Sequence, residues 1–223
     1  MTLDALQPEP LIAQPASELR GARAVAVQRF VRGHFVASLI LGDCQTMLPM
    51  KCDVIICDPP YPDYPAEAYG YEDGLLESLR LIECRQLIFW SAKADFPLDY
   101  TAIHIWDKKT GCGSQYERIY ERNGQANYKV YRQYLINSTV AASYTGDEWT
   151  GHPSQKPVRL MQQIVLDVTK EGDTVLDPWM GSGSTGLACL KTRRNFVGIE
   201  KNPTHYATAC SRLEREANQG VLL

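Results

Sequence analysis

What the chain lacks narrows it first. No run of about 18 apolar residues occurs, so no transmembrane helix is expected. Asp4 and Glu9 interrupt the first residues and no apolar segment stands there, so no signal peptide is expected either. No Cys-x-x-Cys pair is present: the seven cysteines, Cys44, Cys52, Cys57, Cys84, Cys112, Cys189 and Cys210, are scattered, with no histidine at zinc-ligand spacing. They read as reduced thiols of a cytoplasmic protein, several of them buried, and no metal site is expected. A basic excess is also absent. Lys and Arg total 23 against 26 Asp and Glu, a net charge of −3, which argues against coating nucleic acid by bulk charge but leaves room for a local basic face. There is no internal repeat, and a 44% hydrophobic fraction carries none of the bias of a disordered or collagen-like chain.

What is present fits one α/β domain, since 223 residues suffice for a single sizeable core. Pro8, Pro10 and Pro15 make residues 1–34 an expected leader, partly flexible, with the domain filling 35–223. Apolar runs bounded by turn residues predict strands at Phe35–Leu41, Asp53–Cys57, Gln86–Trp90, Ala102–Trp106, Thr174–Asp177 and Asn195–Glu200. Helical spacing predicts helices over 74–84, from Pro157 to Gly172, over 185–194 and over Pro203–Gln219. Asn123-Gly124, between Ile119-Tyr120 and Tyr128–Tyr131, predicts a hairpin. Strands alternating with helices across short loops imply a mostly parallel sheet covered on both faces.

Two segments carry chemistry. Asp177-Pro178-Trp179-Met180-Gly181-Ser182-Gly183-Ser184-Thr185-Gly186 leaves a buried strand and opens a helix, and Glu200 ends the next strand. Glycines let the backbone approach a ligand, and an acidic residue at the following strand end can hold two ribose hydroxyls. Gly181, Gly183 and Gly186 satisfy G-x-G-x-x-G, which also suits a nicotinamide oxidoreductase, or glycines kept only for helix–strand packing. A carboxylate at Asp177 would repel a pyrophosphate but accept bonds from an ammonium, and Pro178-Trp179 replaces the tight first-glycine turn. The ligand favoured is therefore a nucleoside bearing an amino acid, S-adenosylmethionine. The second segment, Asp58-Pro59-Pro60-Tyr61, follows another buried strand. Its prolines fix an extended backbone and remove two donors, leaving carbonyls beside a carboxylate and a ring. Asp58 and the Pro59 carbonyl can accept both N–H bonds of an exocyclic amino group while Tyr61 stacks on the base. A plain Pro-rich turn is the alternative.

Together these segments resemble the β-group DNA amino-methyltransferases, which methylate N6 of adenine or N4 of cytosine. In that family the DPPY segment precedes the cofactor segment, a circular permutation of the usual methyltransferase order, and the order is the same here. Leu41-Gly42-Asp43-Cys44 looks like the upstream segment whose acidic residue reaches the cofactor. His152-Pro153-Ser154-Gln155-Lys156-Pro157 looks like the one before the cofactor helix, with Ser154 and Lys156 in cofactor-contacting positions. Trp106-Asp107-Lys108 and Tyr116-Glu117-Arg118-Ile119 resemble weaker stations between them. The resemblance implies a Rossmann-like S-adenosylmethionine-dependent methyltransferase fold with a mostly parallel seven-stranded sheet, helices on both faces and the permuted motif order. It implies catalysis by Asp58, Pro59, Pro60 and Tyr61. It implies cofactor binding by Asp43, Cys44, Asp58, Ser154, Lys156, Asp177, Pro178, Trp179, Gly181, Ser182, Gly183, Ser184, Thr185, Glu200 and Lys201. The family's partner is double-stranded DNA with the target base flipped out, and DPPY rather than S-P-P-Y goes with adenine N6; cytosine N4 is the alternative.

Charge is segregated. Residues 108–133 hold Lys108, Lys109, Arg118, Arg122, Lys129 and Arg132 against Glu117 and Glu121, an excess of +4, while residues 58–107 carry −7. Those six basic residues are the candidate DNA contacts. The family's recognition region falls at about 120–150 here, a short insert that implies relaxed specificity or help from a homodimer partner. The loop Pro62–Glu72, with Tyr64, Tyr69 and Tyr71, is a candidate cover for the flipped base. An RNA or protein methyltransferase and a non-catalytic DNA-binding relic are the remaining alternatives; the first normally places the cofactor motif before the catalytic one. The expected setting is a prokaryotic or phage enzyme, solitary or paired with a restriction enzyme, cytoplasmic and without a membrane partner.

Overall fold

The computed structural model describes residues 24–63, 74–109, 116–136, 139, 141, 147–152 and 154–219. Tyr64, Tyr69 and Tyr71, Cys112, and most of the leader lie outside the described residues, as does part of the expected insert.

Among the described residues nine strands form one sheet: β1 (Ala26–Arg32), β2 (Phe35–Leu41), β3 (Val54–Cys57), β4 (Arg85–Trp90), β5 (Ala102–Asp107), β6 (Tyr116–Arg122), β7 (Val130–Arg132), β8 (Thr174–Asp177) and β9 (Asn195–Glu200). Their spatial order is β1-β2-β9-β8-β3-β4-β6-β5-β7. The five strands β2, β9, β8, β3 and β4 run parallel; β1 and β6 are antiparallel to their neighbours. Parallel strands buried on both faces need continuous apolar runs, and Val54–Cys57 is buried throughout. Among the described residues three α-helices follow late in the chain: α1 (Val158–Val168), α2 (Ser184–Lys191) and α3 (Pro203–Asn218). Met161, Ile164 and Val165 of α1, Leu187 and Ala188 of α2, and Ala209 and Leu213 of α3 pack on Leu39, Ile56, Leu87, Val175 and Phe196. Among the described residues the opposite sheet face, with Ile40, Ile55, Ile88, Leu176 and Ile199, is covered instead by Cys44, Tyr61, Leu76, Leu79 and Leu98 from turns and loops. Each such fully buried Leu or Ile contributes about 1.5–3 kcal/mol relative to exposure.

Four expectations are corrected. The sheet has nine strands, not seven. The expected leader contains β1, which pairs with β2 in the register Arg32↔Phe35 across a turn at Gly33, whose φ is +64°. The helix expected over 74–84 is one 3-10 turn, Glu77–Leu81. The Gln86 amide donates to the Leu79 and Ile82 carbonyls at 2.9 and 2.7 Å, and Arg122 joins it on Leu79 O, which also accepts the Ile82 N–H at 3.3 Å that closes the turn. The hairpin at Asn123-Gly124 does not form, although Asn123 does turn the chain at φ +54°. Both edges of β6 are already taken by β4 and β5, so the returning strand β7 pairs parallel with β5 at the sheet rim.

This topology points the carboxyl ends of β2, β3, β8 and β9 the same way. The order reverses between β8 and β3: the chain proceeds from β8 to β9 on one side and from β3 to β4 on the other. Ligands of open α/β sheets bind at such a switch point.

Candidate active site

A cavity of about 340 Å³ opens at those strand ends. Its lining includes Asp43, Cys44, Asp58, Pro59, Pro60, Tyr61, Ser154, Lys156, Asp177, Pro178, Trp179, Gly181, Ser182, Ser184, Thr185, Glu200 and Lys201. The residues named for catalysis and for the cofactor thus share one hollow. Gly183 stands behind it as the N-cap of α2 at φ +79°, with Ala209 and Leu213 3.0 Å from where a Cβ would sit.

Each acidic group is held from behind. Glu200 accepts the Gly181 N–H on Oε2 at 2.9 Å and the Asn202 N–H on Oε1 at 2.8 Å, which fixes both carboxylate oxygens at the cavity wall. Asp177 accepts the Thr185 hydroxyl at 2.6 Å and the Trp179 N–H at 3.1 Å. Burial pushes the Asp177 carboxyl up to about 7, the bonds from Thr185 and Trp179 pull it back, and the charges of Asp58 and Glu200 raise it further. A site holding three carboxylates suits a cationic ligand. Asp43, by contrast, is exposed and caps a short 3-10 turn through the Gln45 N–H at 2.9 Å.

At Asp58 the two oxygens have different partners. Oδ1 accepts the Tyr61 hydroxyl, and Oδ2 accepts from the Lys156 ammonium. The Tyr61 ring meets Trp90 edge-on, with centroids 5.5 Å apart. Lys156 therefore bonds the proposed catalytic carboxylate. Behind it stands Glu117, with Oε2 3.5 Å from Lys156 Nζ and Oε1 2.7 Å from Lys108 Nζ. Burial raises the Asp58 carboxyl and Lys156 partly offsets that, leaving it above its ordinary value. Burial disfavours the Lys156 charge, but Asp58 and Glu117 outweigh it and hold the ammonium above its ordinary value. Glu117 is desolvated too, yet Lys156 and Lys108 draw it below the usual carboxylate range.

The six candidate DNA contacts divide. Lys108 is buried and paired with Glu117, and Arg122 is buried, donating to Gln86 Oε1 at 2.9 Å and Asp99 Oδ1 at 3.0 Å. Both face inward onto these partners, which a charge count along the chain does not reveal. Arg118 is half-buried and donates to Tyr120 Oη at 2.9 Å and to the Ala92 carbonyl. Lys129 pairs with Asp167 at 2.8 Å on the surface, Arg132 lies 3.6 Å from Asp107, and Lys109 sits 5.2 Å from the Tyr134 ring centroid. Beside them Tyr128 and Tyr134 are 74% and 52% exposed.

Sequence reasoning missed the support of the glycine loop. Arg212 of α3, buried, donates to Ser182 O at 2.7 Å and reaches Ser182 Oγ at 3.2 Å. A lone arginine on the apolar face of an amphipathic helix was the available signal. His152 and His205, whose rings are 4.3 Å apart, also line the cavity.

A family model described as DNA methylase, for N6 and N4 methyltransferases, matches residues 72–211. The chain belongs to the N6/N4 DNA methylase family. It is similar to the type II methyltransferase M2.DpnII of Streptococcus pneumoniae, 45% identical over 97 residues that cover 40% of this chain and 36% of that protein. It is also similar to the DNA adenine methyltransferase YhdJ of Escherichia coli (strain K12), 41% identical over 71 residues that cover 32% and 24% of the two chains. The match thus spans about a third or less of these curated relatives. Among solved structures, the M1.HpyAVI–SAM complex is 27% identical with a TM-score of 0.52, covering 79% of this chain and 99% of that one. As an N6/N4 methylase the chain has the Rossmann-like α/β sheet of the family, with the permuted segment order seen in its sequence.

Proposed function

We propose that this methylase transfers a methyl group from S-adenosylmethionine to the exocyclic N6 of an adenine rotated out of double-stranded DNA. The observation that carries this reading is the joint placement of Asp58, Asp177 and Glu200 on one cavity at the carboxyl ends of β3, β8 and β9. The donor set suits the cofactor: Glu200, oriented by two backbone amides, faces ribose hydroxyls, and buried Asp177 offers its carboxylate to an ammonium. S-adenosylmethionine supplies an electrophilic methyl on a sulfonium. The relatives' names, which include a DNA adenine methyltransferase and a complex with SAM, point the same way.

An aromatic amino nitrogen is a poor nucleophile because its lone pair is delocalised into the ring. Asp58 and the Pro59 carbonyl, accepting its two N–H bonds, favour a pyramidal nitrogen with that lone pair freed. A carboxylate has about four acceptor positions, so Asp58 can take an N–H while keeping the Tyr61 bond. Its charge also stabilises the positive charge that develops on nitrogen, and it then accepts the proton that nitrogen releases. Positioning within about 3–3.5 Å carries much of the rate. Lys109, Lys129 and Arg132, with Tyr128 and Tyr134, form the surface that meets the DNA backbone, and the chain works in the cytoplasm. No described helix is long and apolar enough to cross a membrane. The test is incubation of a defined plasmid with labelled cofactor, with modified positions read by sequencing: labelled adenines at a short recurrent site support the reading, and an unlabelled plasmid refutes it.

A further inference from the structure

Buried ionic groups beyond Asp58 are not used by this mechanism. Asp58, Lys156, Glu117 and Lys108 form one internal chain of alternating charge, neutral in sum. It is boxed by rings: Lys156 Nζ lies 5.1 Å from the Phe89 centroid and 5.9 Å from that of Trp106, and Lys108 Nζ lies 5.1 Å from the latter. The chain is lopsided. Lys156 is bonded to Asp58 Oδ2, while the buried Glu117 Oε2 has, among the described residues, only the longer ion pair to the same ammonium at 3.5 Å. A buried carboxylate oxygen with so long a contact gains by drawing the ammonium closer, which favours a second arrangement in which Lys156 bonds Glu117.

The Lys156 ammonium sits on Asp58 Oδ2, one of the acceptor positions open to the proposed substrate amino group. We infer that Glu117 is a positioning residue: it receives the Lys156 ammonium when the base enters, uncovering Asp58 Oδ2 for an amino N–H. Resting on the reading above, this gives Lys156 two seats, Asp58 in the empty pocket and Glu117 in the occupied one. Lys108 holds Glu117 through its other oxygen at 2.7 Å, so that the receiving oxygen does not turn away. The charge of Lys156 also opposes the rise that burial imposes on the Asp58 carboxyl. Other titratable groups facing this network are Tyr61 on Asp58, Asp177 across the cavity, with Glu200 beyond it, and His152 near Lys156.

The experiment measures kcat, KM for DNA, cofactor affinity and the pH profile of kcat in the full chain. Glu117→Gln keeps the shape but removes the charge that draws Lys156 away. It is expected to lower kcat by about 10- to 100-fold with cofactor affinity within about twofold of wild type. Adding Lys156→Met to that variant removes the obstructing ammonium and is expected to restore part of the lost kcat, a rescue that a merely structural role for Glu117 does not produce. Should Glu117→Gln fail to fold, Lys156→Met alone decides: without the cation the Asp58 carboxyl rises further, so the acid limb of kcat must move to higher pH. A kcat within about twofold of wild type in Glu117→Gln, no rescue in the double variant, or an unmoved acid limb overturns the inference while wild-type transfer to DNA keeps the enzyme reading intact. A wild-type protein that modifies no DNA overturns both.

Discussion

Asp177 accepts bonds from Thr185 and Trp179 but, among the described residues, is paired with no cation. Burial pushes its carboxyl up to about 7. Two consequences follow from the sign. The folded state binds the proton more tightly than the unfolded chain, so this group's contribution to stability falls as pH rises from about 4 to about 7. A cationic ligand selects the ionised form, so cofactor affinity is expected to rise with pH over about 6–8, and calorimetric titration of Asp177→Asn should abolish that dependence. The same variant should weaken binding by about 10- to 100-fold, corresponding to ~1.5–3 kcal/mol for a charged hydrogen bond. Asp58→Ala should instead leave cofactor affinity within a few-fold. Both carboxylates were legible from their places at the ends of apolar strands. The Lys156–Glu117 contact was not, because an ion pair between distant residues leaves no spacing to read, and Glu117 appeared only within a weak family station and as a charge set against a basic segment.

At the scale of elements, the glycine loop and α2 join the cofactor wall to the core. Gly183 begins α2 in the left-handed region, with Ala209 and Leu213 of α3 packed against it. Gly183→Ala should therefore destabilise the fold by about 1–3 kcal/mol, read as a lower midpoint in denaturant, and should also weaken cofactor binding by moving Ser182 and Ser184. The parallel strands and α1 were legible because buried runs such as Val54–Cys57 and the face Met161, Ile164, Val165 carry their period locally. Partner choice was not. Nothing near Asn123-Gly124 says that both edges of β6 are occupied, and the 3-10 turn at Glu77–Leu81 depends on Gln86 and Arg122 reaching its carbonyls. β1 was missed although Gly33, two residues before Phe35, marks its turn.

For the whole molecule, the net charge of −3 conceals the surface that matters. With Lys108 and Arg122 turned inward, the proposed DNA-facing charge of the 108–133 segment rests on Lys109, Lys129 and Arg132. Arg132→Ala and Lys109→Ala should each weaken DNA binding across sequences and reduce the salt slope of log K by about 1. Few such contacts imply modest affinity and a short site. The central claim, that Asp58 beside the cofactor wall methylates an adenine amino group, is tested most directly by digesting plasmid DNA to nucleosides after incubation with S-adenosylmethionine and weighing the products. Wild-type protein should yield N6-methyladenine and Asp58→Ala none; N4-methylcytosine, no modified nucleoside, or an undiminished yield from the variant would contradict it.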